Sequence, residues 1–162
     1  MVSLGPIHHG KENYQLAEKH KLVSTFEFIK DSGKTIQEVY KKVEKNIKEL
    51  RECFEEDVTK KYDDEALAWL LFGDGCAILQ YIYRATDPDN NKFKELSIKH
   101  DSVAFGHQDL FFLENQLPYC LLKWLMSLSK MKEELEKSIK KFINEFVGVK
   151  NNPYSNLLSD II

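Results

Sequence analysis

Apolar residues recur at helical spacing along most of this chain, and the places where that spacing fails mark the candidate turns. In the first stretch, 11–30, Leu16, His20, Val23 and Phe26 fall on one face at steps of four, three and three, which predicts a helix. Asp31-Ser32-Gly33 closes it. Thr35-Ile36-Gln37-Glu38 reads as a capping box, with the Thr35 hydroxyl accepting the N3 amide and Glu38 reaching back to the Thr35 amide. Behind it Ile36, Tyr40, Val43, Ile47, Leu50 and Phe54 form a heptad seam on one continuous helix. That seam is expected to pack inside the chain, because a free coiled coil needs about three to four heptads.

Asp63 or Asp64 then caps a third helix over 65–84, which carries large apolar residues on every side. Such a helix is either central or spans a membrane; Asp74 and Gln80 in its middle favour the buried reading. Gly73-Asp74-Gly75 predicts a local break, with Asp74 capping a second half. Asp87-Pro88-Asp89-Asn90-Asn91 is a turn, and 101–116 is read as a short helix. The densest apolar run is Leu110-Phe111-Phe112-Leu113, followed at once by Glu114-Asn115-Gln116. Polar groups carried into a core need partners. Asp109, Glu114, Asn115 and Gln116 are therefore expected to hold a junction between two buried helices by side-chain to backbone bonds. Pro118 starts a second nearly all-apolar helix, running to Leu128. Ser129 precedes an amphipathic helix with Met131, Leu135, Ile139, Phe142, Ile143 and Phe146 on one face and Gly148 at its end. Residues 149–162 read as a loose tail with an apolar end. The expected fold is all-α: a single helical domain over 1–162, a bundle of about five to six helices around two nearly all-apolar central ones.

Composition narrows the function classes. A formal charge of −3 gives no broad electrostatic footprint for nucleic acid. Residues 1–10 have no apolar run, so no signal peptide is visible, and with no clear transmembrane helix the chain alone reads as cytoplasmic. Cys53, Cys76 and Cys120 sit among apolar residues and are expected as buried free thiols in a reducing compartment. No Asn-x-Ser/Thr sequon is present, which agrees with that reading.

Candidate chemistry is sparse. Gly5 to Gly10-Lys11 mimics a phosphate-binding loop, but Glu12 stands where Ser or Thr is needed and Pro6 removes a cradle N–H. His8-His9 has no nearby Cys or carboxylate at ligand spacing, so no metal is expected. An enzyme would draw on Asp74, Cys76 and Glu114, with His8 or His107 as base; nothing in the spacing assembles them. Glu18 and Lys21 read as a surface i, i+3 ion pair. No cofactor motif is found.

Asp-Leu-Phe-Phe-Leu-Glu-Asn-Gln-Leu-Pro-Tyr at 109–119 is similar to the signature of a plant-specific family, domain of unknown function 247, also termed uncharacterised protein family 0481. Val2 to Gly10 resembles the family's opening V-S-I-G-P-aromatic-H-H-G, and Glu18 and Lys21 fit its following E-x-x-K. Arg51-Glu52-Cys53-Phe54 and Gly73-Asp74-Gly75-Cys76-Ala77-Ile78-Leu79 resemble two further elements, in family order. The motif residues carried over as structural are Gly5, Pro6, His8, His9, Gly10, Glu18, Lys21, Asp74, Gly75, Cys76, Asp109, Leu113, Glu114, Asn115, Gln116, Leu117 and Pro118. Family members are usually longer and often end in a transmembrane helix, so the resemblance implies a fragment, a truncated gene product or a short paralogue. It also implies plasma-membrane association through that absent helix, and a link of some members to self-incompatibility in grasses. The expectation is a non-catalytic recognition module with a protein partner and no nucleic acid. The alternatives are an enzyme of unknown reaction and a truncated copy without function.

Overall fold

The computed structural model describes residues 4–7, 9, 15–86 and 117–146. Among the described residues there are seven helices: α1 (Gln15–Ser32), α2 (Ile36–Lys45), α3 (Ile47–Glu52), α4 (Glu56–Thr59), α5 (Asp64–Ala85), α6 (Tyr119–Leu128) and α7 (Lys132–Phe146). The fold is an all-α bundle, with α1, α2, α3, α6 and α7 all packed on α5. The expected residues 87–91 turn, 101–116 helix, Asp109–Gln116 junction, Gly148 cap and 149–162 tail lie outside the described residues.

Asp63 starts α5 as its N-cap, accepting the Ala66 N–H on Oδ1 at 2.7 Å. Leu67, Leu71, Cys76 and Leu79 are then shut off from solvent on different sides of the helix. That explains an apolar sequence with no polar stripe: neighbours cover α5 nearly all round. By length and composition α5 could cross a membrane, yet 67% of its most apolar window is buried among the other helices. Of the two helices expected at the centre, α6 instead buries one face through Leu121, Leu125 and Met126 and exposes Lys123 and Ser127.

The heptad seam packs inward as expected, with Tyr40, Val43, Ile47 and Leu50 buried and Ile36 and Phe54 at the rim. Its helix is not continuous. Asn46 divides it into α2 and α3, because the Asn46 side chain donates to the Lys42 carbonyl at 2.7 Å and its N–H turns to Val43 O at 3.0 Å. The capping box is formed: Glu38 N–H donates to Thr35 Oγ1 at 3.2 Å, and Thr35 N–H donates to Glu38 Oε2 at 2.8 Å. Ser129 ends α6, its hydroxyl accepting the Met131 N–H at 3.1 Å ahead of α7, which buries Leu135, Ile139 and Phe142.

The break expected at Gly73–Gly75 does not occur; α5 runs straight through. Gly75 serves packing instead. A Cβ there would meet Leu125 Cδ1 at 2.6 Å, so the missing side chain is what admits α6 to the surface of α5.

Candidate functional site

Of the α1 face read from the sequence as apolar, His20, Val23 and Phe26 point to solvent, and so does Leu22 beside them. Leu22 is 72% exposed, Phe26 67% and Val23 44%. The buried face carries Lys21, Phe28, Ile29 and Ser32. Four polar contacts join it to α5. Lys21 reaches Asp74, the Thr25 hydroxyl donates to Gly73 O at 3.0 Å, Gln80 Nε2 donates to Asp31 Oδ2 at 3.0 Å, and Arg84 pairs with Glu27. This interface is held by polar groups as much as by apolar ones, so a search for apolar periodicity selects the wrong side.

The centre of the interface is Asp74, 3% exposed. Its Oδ1 lies 2.7 Å from Lys21 Nζ, and its Oδ2 accepts the Gly5 N–H at 2.7 Å. Lys21, itself only 7% exposed, also holds Glu18 Oε1 at 2.8 Å. The expected surface pair Glu18–Lys21 is thus one side of a three-residue cluster in which Lys21 and Asp74 are buried and Glu18 is half-buried, a consequence of Asp74 standing opposite it. Burial pushes the Asp74 carboxyl above its ordinary range; Lys21 and the Gly5 N–H pull it down, and the Glu18 carboxylate pushes it up further.

Gly5 meets Asp74 with a φ of 73°, a left-handed backbone that disfavours any side chain. Leu4 is buried beside it, and Pro6 O accepts the Tyr62 hydroxyl at 3.2 Å. The His9 and Tyr62 rings lie 6.3 Å apart. Arg51 then secures the approach to α5, donating to Thr59 O at 2.9 Å, Tyr62 O at 3.1 Å and Asp64 Oδ1 at 2.8 Å. The motif residues Gly5, Pro6, Glu18, Lys21 and Asp74 therefore converge, and Arg51 joins them through Tyr62. No sequence signal marked Tyr62; its hydroxyl matters only because the chain folds the N-terminal segment over it.

Cys76 lies two residues beyond Asp74, about half a turn round the helix and on the core side, with no exposed surface, and burial pushes its thiol well above its ordinary range. Cys120 is half-buried, whereas Cys53, expected inside, is exposed, since it ends α3 at the edge of the bundle. Leu117 and Pro118 lead into α6, with Pro118 as its N-cap. His8, Gly10, His107, Asp109, Leu113, Glu114, Asn115 and Gln116 lie outside the described residues. Among the described residues no group of three or more His, Cys, Asp or Glu side chains could hold a metal.

A family model described as a plant protein of unknown function matches residues 1–157. The UPF0481 protein At3g47200 of Arabidopsis thaliana is 28% identical over 141 residues, covering 81% of this chain. The chain spans 28% of that relative's length. No solved structure matches. With the family model covering nearly all of the sequence, and its motif residues gathered around Asp74, the chain belongs to the plant family of domain of unknown function 247.

Proposed function

We propose that this chain is a non-catalytic, helical protein-recognition module that binds through the solvent face of α1. The observation that carries this reading is a stripe on that face. Leu22, Val23 and Phe26 form an exposed apolar centre, and the exposed Lys19 and Lys30 flank it. Isolated exposed apolar residues need no explanation, but three adjacent ones on one helix, rimmed by charge, fit a docking surface. The charge pattern sets the partner: a protein helix with an apolar face and acidic residues toward both of its ends.

The buried polar cluster favours the non-catalytic reading. Both Asp74 oxygens are already engaged, by Lys21 and by the Gly5 N–H, and the Cys76 thiol is sealed in the core. A general base or nucleophile needs a free, reachable atom.

A photoreactive amino acid at position 26, in a plant extract, tests the docking surface. The expected result is crosslinking to a protein helix of that pattern, abolished by Leu22→Glu with helicity and melting temperature unchanged. Crosslinks to a second copy of this chain, to lipid only, or to proteins indifferent to Leu22→Glu would overturn it.

A further inference from the structure

Three half-buried aromatic rings of this chain each carry a lysine of their own. Lys42 Nζ lies 5.5 Å from the Trp124 ring centre, Lys61 Nζ 5.0 Å from that of Tyr62 and Lys123 Nζ 5.2 Å from that of Tyr119. Trp69 is more exposed, at 45%, and among the described residues no lysine or arginine stands over it. One face of its indole is closed by Tyr40, stacked on it with ring centres 4.0 Å apart, and Phe72 meets both rings edge-on. The exposure of Trp69 therefore falls on its other face. Two carboxylates stand nearby. Glu65 is one helical turn before Trp69 on α5, and Glu44 is one turn after Tyr40 on α2. The Tyr40–Trp69 stack and the Arg51–Asp64 ion pair set α2 and α3 antiparallel to the start of α5, which brings those two turns level. Both glutamates are exposed. Their acidic neighbours are committed, Asp63 to the Ala66 N–H and Asp64 to Arg51, whereas among the described residues Glu44 and Glu65 have no ion pair. The Tyr40 hydroxyl is buried without a hydrogen-bond partner, and burial, then the charges of Glu44, Glu65 and Asp63, hold it above its ordinary pKa.

An exposed tryptophan alone needs no explanation. An open indole face bordered by two unpaired carboxylates is a different object, because the ring and both charges attract the same thing, a cation. We propose that the outer face of Trp69, with Glu44 and Glu65, is a docking site for an arginine side chain of a protein partner. A guanidinium is planar, so it can lie flat on the indole while its in-plane N–H groups donate to the carboxylates. An ammonium brings only a compact, strongly hydrated point charge. Arginine and tryptophan are also the residues on which interface energy concentrates. The site is built on α5 and α2 and uses none of Leu22, Val23 or Phe26, so it stands or falls separately from the α1 docking surface.

The test is an NMR titration of the nitrogen-labelled full chain with an acetylated, amidated alanine–arginine–alanine peptide. The chain has two tryptophans and so two indole N–H signals, which Trp124→Phe assigns; Trp124 then serves as the internal control. The expected result is a saturable shift of the Trp69 indole signal with that of Trp124 fixed. The dissociation constant should be about 3–10-fold lower than for the citrulline analogue, which keeps the shape and lacks the charge. Lysine in the same peptide should bind about twofold or more weakly than arginine. Glu44→Gln and Glu65→Gln should each weaken arginine binding by about 2–5-fold without lowering the melting temperature, and added salt should erase most of the preference over citrulline. No saturable shift at Trp69, equal affinity for arginine and citrulline, lysine binding as tightly as arginine, or indifference to both glutamine substitutions would each overturn the proposal.

Discussion

Replacing Lys21 with Met removes the ammonium from the buried cluster and keeps most of the side-chain volume. Asp74 is then left at 3% exposure with the Gly5 N–H as its remaining partner. Stranding one charge of a buried pair costs about 3–5 kcal/mol. Asp74 has an escape, because it can take up a proton. From an ordinary value of 3.8, protonation at pH 7 costs about 1.4 kcal/mol per pH unit, or about 4 kcal/mol in all. The loss is therefore capped near 4 kcal/mol at pH 7 and shrinks as pH falls. The sign follows from linkage. Burial raises the Asp74 pKa in the folded chain, so the stability that this group contributes is full below its unfolded pKa and is lost as pH rises through the folded one. Without Lys21 that dependence steepens. Urea unfolding of the parent and Lys21→Met at pH 7, 6, 5 and 4.5 should show a deficit of about 3–4 kcal/mol at pH 7 that declines steadily toward the acid end. Lys21→Met/Asp74→Asn, which has no charge to strand, should recover about 1–2 kcal/mol of it at pH 7. A deficit below about 1 kcal/mol, or one indifferent to pH, would refute the reasoning.

Gly75→Ala should destabilise by about 1–3 kcal/mol, seen as a lower urea midpoint, because the new methyl meets Leu125 Cδ1 at 2.6 Å. Gly73→Ala, with nothing within 4 Å of the added carbon, should stabilise by about 0.5–1 kcal/mol through helix propensity. If α5 were broken at this point, neither sign would hold. Arg51→Lys should cost about 1–2 kcal/mol in thermal or urea unfolding, because a single ammonium cannot serve Thr59 O, Tyr62 O and Asp64 together.

The parts of the fold that were legible in the sequence are those fixed by neighbours within one helix. The Thr35–Glu38 box, the Asp63 cap and the seam from Tyr40 to Leu50 all depend on spacings of three or four, and each formed. What failed depended on partners far along the chain. Nothing near Lys21 shows that Asp74 will stand opposite it, so Glu18–Lys21 reads as surface and Val23 and Phe26 read as core. Glycines flanking an aspartate looked like a helix break, because Leu121 and Leu125, which need the gap, come 46 and 50 residues later than Gly75. The resemblance marked Gly5, Glu18, Lys21 and Asp74 as belonging together without giving a contact between them. The structure supplies the contact, a buried carboxylate shared by an ammonium and a backbone N–H.

That arrangement makes docking of the N-terminal segment conditional. Leu4 contributes about 2–3 kcal/mol by burial. The Gly5 bond to a charged acceptor adds about 1.5–3 kcal/mol and the Tyr62–Pro6 bond about 0.5–1.5 kcal/mol. Ordering four backbone residues costs about 1–2 kcal/mol each, somewhat less at Pro6. The balance lies within a few kcal/mol of zero, so the segment opens far more readily than α5, where Leu67, Leu71 and Leu79 are wholly enclosed. Tyr62→Phe separates the two events, since it deletes one bond to the segment and leaves the ring in place. Hydrogen exchange at the Gly5 amide should then accelerate about 2–13-fold, the equivalent of 0.5–1.5 kcal/mol, with the Leu79 amide unchanged. Equal acceleration at both amides would mean that the segment opens only with the whole bundle. The Asp74–Lys21 pair would then be part of the core, and the N-terminal segment could not be released from it separately.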